Sequence, residues 1–169
     1  IDMNQISAVV STQVNAGGFN EFTISNNVTY IGTEVFRGCT SLETLTIPFV
    51  GSEQGLGGDS NVFGWLYGYD DNYETFESDQ NIYQVLSVLK SVNITNDTAI
   101  APNAFLNCVD ITSITINEGV ISIGSAAFKN TGLLSFDVVE SVETIDEEAF
   151  DEIISDCPAK TSITDGLFT

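Results

Sequence analysis

One apolar pattern, returning along most of the chain, limits what this sequence can fold into more than any other feature. Apolar residues recur at positions i, i+3 and i+5: Phe19, Phe22, Ile24; Leu42, Leu45, Ile47; Leu89, Val92, Ile94; Ile111, Ile114, Ile116; Leu133, Phe136, Val138. The starts at 89, 111 and 133 are spaced by 22 residues. A second frame places phenylalanine five residues after isoleucine, in Ile31–Phe36, Ile100–Phe105, Ile123–Phe128 and Ile145–Phe150. A third, Val-x-x-Ile, joins them at Val28/Ile31, Val120/Ile123 and Val142/Ile145. The copy that holds Ile100 departs from it: Asp97 lies near the expected valine and one residue is missing.

This spacing has a direct physical reading. The i+3, i+5 pair ends in a two-residue alternation, the mark of a strand with one buried face. The chain is then expected to turn at Gly32 and Gly124, where glycine tolerates positive φ. A short helical turn should follow and bring Phe36, Phe105, Phe128 and Phe150 inward. A single copy cannot bury these residues, but stacked copies can, each strand pairing with its equivalent about 4.8 Å away. The expected architecture is a parallel β-rich solenoid of about five coils. A globular α/β domain or an unrelated β-helix are the competing folds.

The segments NNVTYIGTEVFRGCTSLETLTIP (26–48) and EGVISIGSAAFKNTGLLSFDV (118–138) resemble BspA-like leucine-rich repeats. That pattern runs Val-x-x-Ile-Gly, Ala-Phe, Cys, then Leu-x-x-Leu-x-Ile-Pro. Cys39 and Cys108 match its cysteine, and Thr131 replaces it in the next copy. The resemblance covers about 19–155 apart from one interruption. It implies a right-handed leucine-rich-repeat coil and an exported or cell-surface protein, bacterial in most cases and often linked to adhesion. It implies no catalytic activity. One domain spanning 1–169 is expected, with a cap region at 1–18, an insertion at 49–88 and a cap or tail at 156–169. The insertion resembles an excursion found in some members of that family. A structureless loop of this length is unusual in a compact domain, so it should fold back on the stack, anchored by Phe63, Trp65 and Leu66.

Charge narrows the partners. Four basic residues stand against 24 acidic ones, for a net charge of −20. Nucleic acid and anionic membrane surfaces are disfavoured, because both need clustered Lys and Arg. No apolar run approaches the roughly 20 residues that span a bilayer, and no signal peptide is visible. Ile1 as the first residue is expected to reflect processing or trimming of a longer chain.

Chemistry is narrowed as well. With no histidine in the chain, Ser–His and Cys–His activation are impossible. GLGG (55–58) lacks the phosphate-loop lysine, and carboxylate pairs drawn from so many acids are uninformative. No enzyme activity, cofactor or metal is expected. The acidic runs 70–79 and 146–152 offer calcium-type oxygen ligands without EF-hand spacing, and a solvated acidic face explains both. Asn27, Asn93 and Asn96 begin glycosylation sequons, which matter only in a eukaryotic secretory host. Cys39 and Cys108 fall in one inward column. Neighbouring coils could bring them within disulfide range, but buried thiols acting as small hydrophobes are the expected state. Cys157 lies outside the pattern.

Two surfaces are left to carry function. The outward positions of the strands form one row of Glu21, Thr44, Ser91, Ser113 and Ser135 and a second of Thr23, Thr46, Asn93, Thr115 and Asp137. Stacked sheets of this kind present extended binding surfaces. The aromatics Trp65, Tyr67 and Tyr69 of the insertion either cover the core or form an exposed recognition patch. The expected function is a binding or adhesion module recognising protein or glycan. The competing reading is a passive spacer within a larger surface protein.

Overall fold

The computed structural model describes residues 9–10, 18–55, 60–68 and 88–153. Its strands are β1 (Val9–Val10), β2 (Glu21–Thr23), β3 (Tyr30–Ile31), β4 (Thr44–Ile47), β5 (Ser91–Ile94), β6 (Ser113–Thr115), β7 (Ser122–Ile123) and β8 (Thr144–Ile145). All pairings are parallel. β2, β4, β5 and β6 form one sheet in that order, while β1 pairs with β3 and β7 with β8. The register joins equivalent positions of the repeat: Phe22 faces Leu45, Leu45 faces Val92, and Val92 faces Ile114. Alternation decides what each strand buries. Leu45, Ile47, Val92, Ile94 and Ile114 point inward, and the residues between them do not.

The Ile-to-Phe frame builds the other side of the core. Backbone N–H groups bond from copy to copy at this level: Phe105 to Ala127 O and Phe128 to Ala149 O, both at 2.7 Å. Phe105, Phe128 and Phe150 stack with ring centroids 5.6 and 5.0 Å apart, and Phe36 and Phe105 are fully buried.

The expected helical turns are absent. Among the described residues the only helix is a single 3-10 turn, Phe63–Leu66. Elsewhere the chain makes successive i to i+3 bonds, such as Ala104 N to Ala101 O, Leu106 N to Asn103 O and Cys108 N to Phe105 O. Positive φ interrupts each run two residues before and two after the phenylalanine: Glu34 and Gly38, Asn103 and Asn107, Ala126 and Asn130, Glu148 and Glu152. Turns with positive φ at their third position cannot propagate as a helix. The glycine expectation is corrected in the same way. Gly32 and Gly124 are not the positive-φ residues; a Cβ on Gly124 would instead lie 2.5 Å from Pro102 N, so glycine is needed there for close approach of two backbones.

The insertion takes a place in the ladder. Phe63 N bonds to Ala104 O at 2.7 Å, Phe36 N to Leu66 O at 2.8 Å and Ile31 N to Ser52 O at 2.8 Å. Phe63 stacks on Phe105 at 5.1 Å. Phe63 and Leu66 are fully buried and Trp65 packs against the core, so the three expected anchors are all used. The two ends of the pattern differ from its middle. Phe19 is 56 % exposed although Leu42, Leu89, Ile111 and Leu133 at the same position are fully buried. At the other end, 135–137 form no strand; a single bond, Leu134 N to Thr112 O, follows the ladder there. Among the described residues no strand lies beyond this segment to pair with its outer side.

Candidate functional site

The sheet brings eight of the ten expected outward residues into two straight rows. Register places Glu21, Thr44, Ser91 and Ser113 side by side, and Thr23, Thr46, Asn93 and Thr115 beside them. All are exposed or half-buried. The second row is tied across strands: Asn93 Nδ2 donates to Thr46 Oγ1 at 3.3 Å, and Thr115 Oγ1 donates to Asn93 Oδ1 at 2.9 Å. Ser135 and Asp137 are exposed but stand outside the sheet, because their segment forms no strand. The face offers hydroxyl and amide hydrogen bonding and, at Glu21, a carboxylate.

The aromatic residues of the insertion behave differently from one another. Tyr67 is a core residue, 3 % exposed, packed between Phe36 at 6.0 Å and Phe63 at 5.6 Å. Its hydroxyl has no hydrogen-bond partner, and burial first, then the neighbouring Cys39 and Cys108, pushes its pKa well above the usual range for a phenol. Tyr67 therefore offers no recognition surface. Trp65 is half-buried, with Nε1 donating to Ile31 O at 2.9 Å. Tyr69 lies outside the described residues. Tyr67 also changes the relation of the two cysteines. It lies beside both thiols, at a level the insertion adds to the stack, so Cys39 and Cys108 are not in directly neighbouring copies. Both are buried thiols outside any disulfide, and desolvation pushes the Cys108 thiol up. Cys157 lies outside the described residues.

The sequence pattern gave no hint of a polar cluster behind the insertion. Among the described residues the buried polar side chains are Ser52, Asn61, Asp97 and Thr131. Thr131 serves its own turn, donating to Phe128 O at 2.9 Å. The other three hold the loop 50–55. Asp97 accepts from Val50 N on Oδ2 at 3.1 Å and from Gly55 N on Oδ1 at 2.9 Å. Asn61 Nδ2 donates to Glu53 O and Gly55 O, both at 2.9 Å, and Ser52 Oγ bonds Ser60 Oγ at 2.9 Å. Asn117 fixes the backbone of Asp97, accepting from its N–H at 2.8 Å and donating to its carbonyl at 3.0 Å. Desolvation raises the Asp97 pKa, outweighing the backbone N–H groups that lower it. Asp97 was visible as a break in the valine column; its partners, more than 40 residues away, were not.

The acidic run 146–152 is solvated. Asp146, Glu147, Glu148, Asp151 and Glu152 are exposed, and Glu148 pairs with Lys129 at 2.9 Å. Among the described residues no group of three or more His, Cys, Asp or Glu side chains is placed to hold a metal ion. No helix among them is long and apolar enough to cross a membrane. The run 70–79 lies outside the described residues.

Comparison with known proteins adds the following. The profile of the BspA type leucine rich repeat region matches residues 14–53 and 75–163, in six copies. A leucine-rich repeat protein from Eubacterium ventriosum is similar in structure, with a TM-score of 0.50 and 22 % identity over 82 % of this chain and 31 % of its own. A leucine rich cell surface protein from Faecalibacterium prausnitzii has a TM-score of 0.45 and 22 % identity over 88 % of this chain and 47 % of its own. The chain thus spans about a third of one and about half of the other. No curated protein matches it.

Proposed function

The chain belongs to the BspA-type leucine-rich-repeat family, and from that premise we propose that it is a non-catalytic binding module displayed on a bacterial cell surface. It recognises a protein or a glycan through the sheet face, the inserted segment, or both. The repeat carries on as a right-handed solenoid of about five coils, the insertion taking up one level. The observation that carries this reading is the registered polar face of β2, β4, β5 and β6, whose strands fix seven short side chains and Glu21 in two rows. Short side chains lose little rotamer entropy when covered, and a rigid scaffold avoids ordering costs on binding. A shallow face of this kind suits broad contacts better than a deep small-molecule site. Net charge of −20 disfavours polyanionic partners.

The same face supports one other reading. It carries no aromatic residue, and aromatics are enriched among residues that dominate binding energy. That favours a passive spacer in a longer surface protein. The two readings separate in a screen of the purified domain against extracellular-matrix proteins and a glycan array. The wild type should bind at least one component, and Thr46→Lys with Thr115→Lys should weaken that binding in a variant that still unfolds cooperatively. If the folded wild type binds nothing in either screen, the spacer reading stands.

A further inference from the structure

Burying a polar group is costly unless its hydrogen bonds are met, and here that cost is concentrated behind one exposed loop. Asp97 takes the loop's N–H groups at Val50 and Gly55, and Asn61 takes its carbonyls at Glu53 and Gly55. Gln54 adds a third tie, Nε2 donating to Asn96 O at 2.6 Å. A loop gripped on both its donors and its acceptors is held in one conformation. Places where a sequence breaks its own local rule at a cost are where function is to be expected. Asp97, in a column otherwise filled by Val28, Val120 and Val142, is such a break.

What the loop presents is one wall of a pocket of about 220 Å³. Val28 and Phe49, each 2 % exposed, lie beneath it, and the exposed Asn26, Glu53, Gln54 and Asn96 form its polar rim. We infer that this pocket is a sugar subsite, taking a single uncharged pyranose unit of a glycan. The inference rests on the binding-module reading above and names a ligand class and a place for it.

Volume, polarity and charge each support that class. At about 220 Å³ the pocket falls below the range of about 300–1,000 Å³ typical for drug-sized ligands. It therefore suits one ring. The rim supplies what sugar hydroxyls pair with. Glu53 brings an acceptor-only carboxylate, and Asn26 and Asn96 bring amides that both donate and accept. Among the described residues the side chains of Glu53 and Asn96 make no hydrogen bond. Asn26 uses only Oδ1, accepting from Thr95 Oγ1 at 2.5 Å, so its NH₂ is left for a ligand. Among the described residues no lysine or arginine lines the pocket, which disfavours sialic and uronic acids.

The test is saturation-transfer NMR and chemical-shift titration of the full chain with the methyl glycosides of glucose, galactose, mannose and N-acetylglucosamine. At least one should saturate, with shifts centred on the amides of 50–55 and 96. Glu53→Ala and Asn96→Ala, both at exposed positions, should keep the wild-type melting temperature; the first should weaken that sugar about tenfold or more, as for a lost charge-assisted hydrogen bond, and the second about three- to tenfold, as for a neutral one. Thr46→Lys with Thr115→Lys should leave it unchanged. If no glycoside saturates, if the shifts centre on β4–β6, or if the rim variants bind like wild type, the subsite is overturned. Binding of a protein or larger glycan through the sheet face would survive that outcome, so the two readings fail separately.

Discussion

Replacing Asp97 by valine restores the repeat's own pattern, and on sequence grounds alone it should stabilise the protein. The structure predicts the opposite. Valine at this position would bury an apolar side chain, as Val28 and Val120 do, for a gain of about 1.5–3 kcal/mol at most. The same change removes the acceptor for Val50 N and Gly55 N. Whatever the protonation of the lost acceptor, each buried N–H left unpaired costs about 1–3 kcal/mol. Two such losses against one gain leave a net destabilisation centred on about 2 kcal/mol. At about 2–4 °C per kcal/mol for a domain of this size, the melting temperature should fall by roughly 4–8 °C. Amide hydrogen exchange should speed up first at Val50 and Gly55, with β5 and β6 changed far less. A pH series sharpens the test. Burial raises the folded-state pKa of Asp97 above its ordinary value, so the folded chain holds this proton where the unfolded chain has released it. Stability from this group is then fully present below the unfolded value of about 3.9 and is lost as pH rises through the folded one. The wild type's advantage over the valine variant should therefore be largest near pH 3.5 and shrink towards neutrality. An equally stable variant whose loop amides stay protected would refute the carboxylate's role.

Two further outcomes test the core. Phe128 touches Phe105, Phe136 and Phe150, with ring centroids at 5.6, 4.8 and 5.0 Å, and Phe128→Ala should cost about 3–5 kcal/mol; an unchanged unfolding midpoint in urea would remove it from the column. Cys39 and Cys108 should react with a thiol reagent only after denaturation, since both are buried and neither is in a disulfide. Rapid labelling of either in the native state, or an intact mass two protons light, would contradict their placement.

Much of this fold could be read from the sequence because its signals are local and repeated. Leu45, Val92 and Ile114 sit in the predicted frame and pair in the predicted register. The phenylalanine frame correctly located the opposite side of the core at Phe105, Phe128 and Phe150. What the pattern could not carry is backbone handedness. Glu34, Ala126 and Glu148 adopt positive φ, a conformation that such residues disfavour by about 1–2 kcal/mol, so the stack imposes it against local preference. The insertion was harder for a different reason. Phe63 joins the column through its bond to Ala104 O, a contact no spacing encodes, and Tyr67 is buried by the level that insertion adds. Thr46, Asn93 and Thr115 were legible as one outward row. The clasp of Asp97 and Asn61 was not, because its partners share no period.

Binder and spacer part most clearly on the surface of a living cell. Cells displaying the protein through a surface anchor would be compared in attachment to the component captured in the screen, in three forms: wild type, the domain deleted, and Thr46→Lys with Thr115→Lys in an intact domain. The binding account predicts that the double variant, folded and equally displayed, attaches as poorly as the deletion. Attachment equal to wild type in the double variant, with loss only when the domain is deleted and the reach shortened, would contradict it.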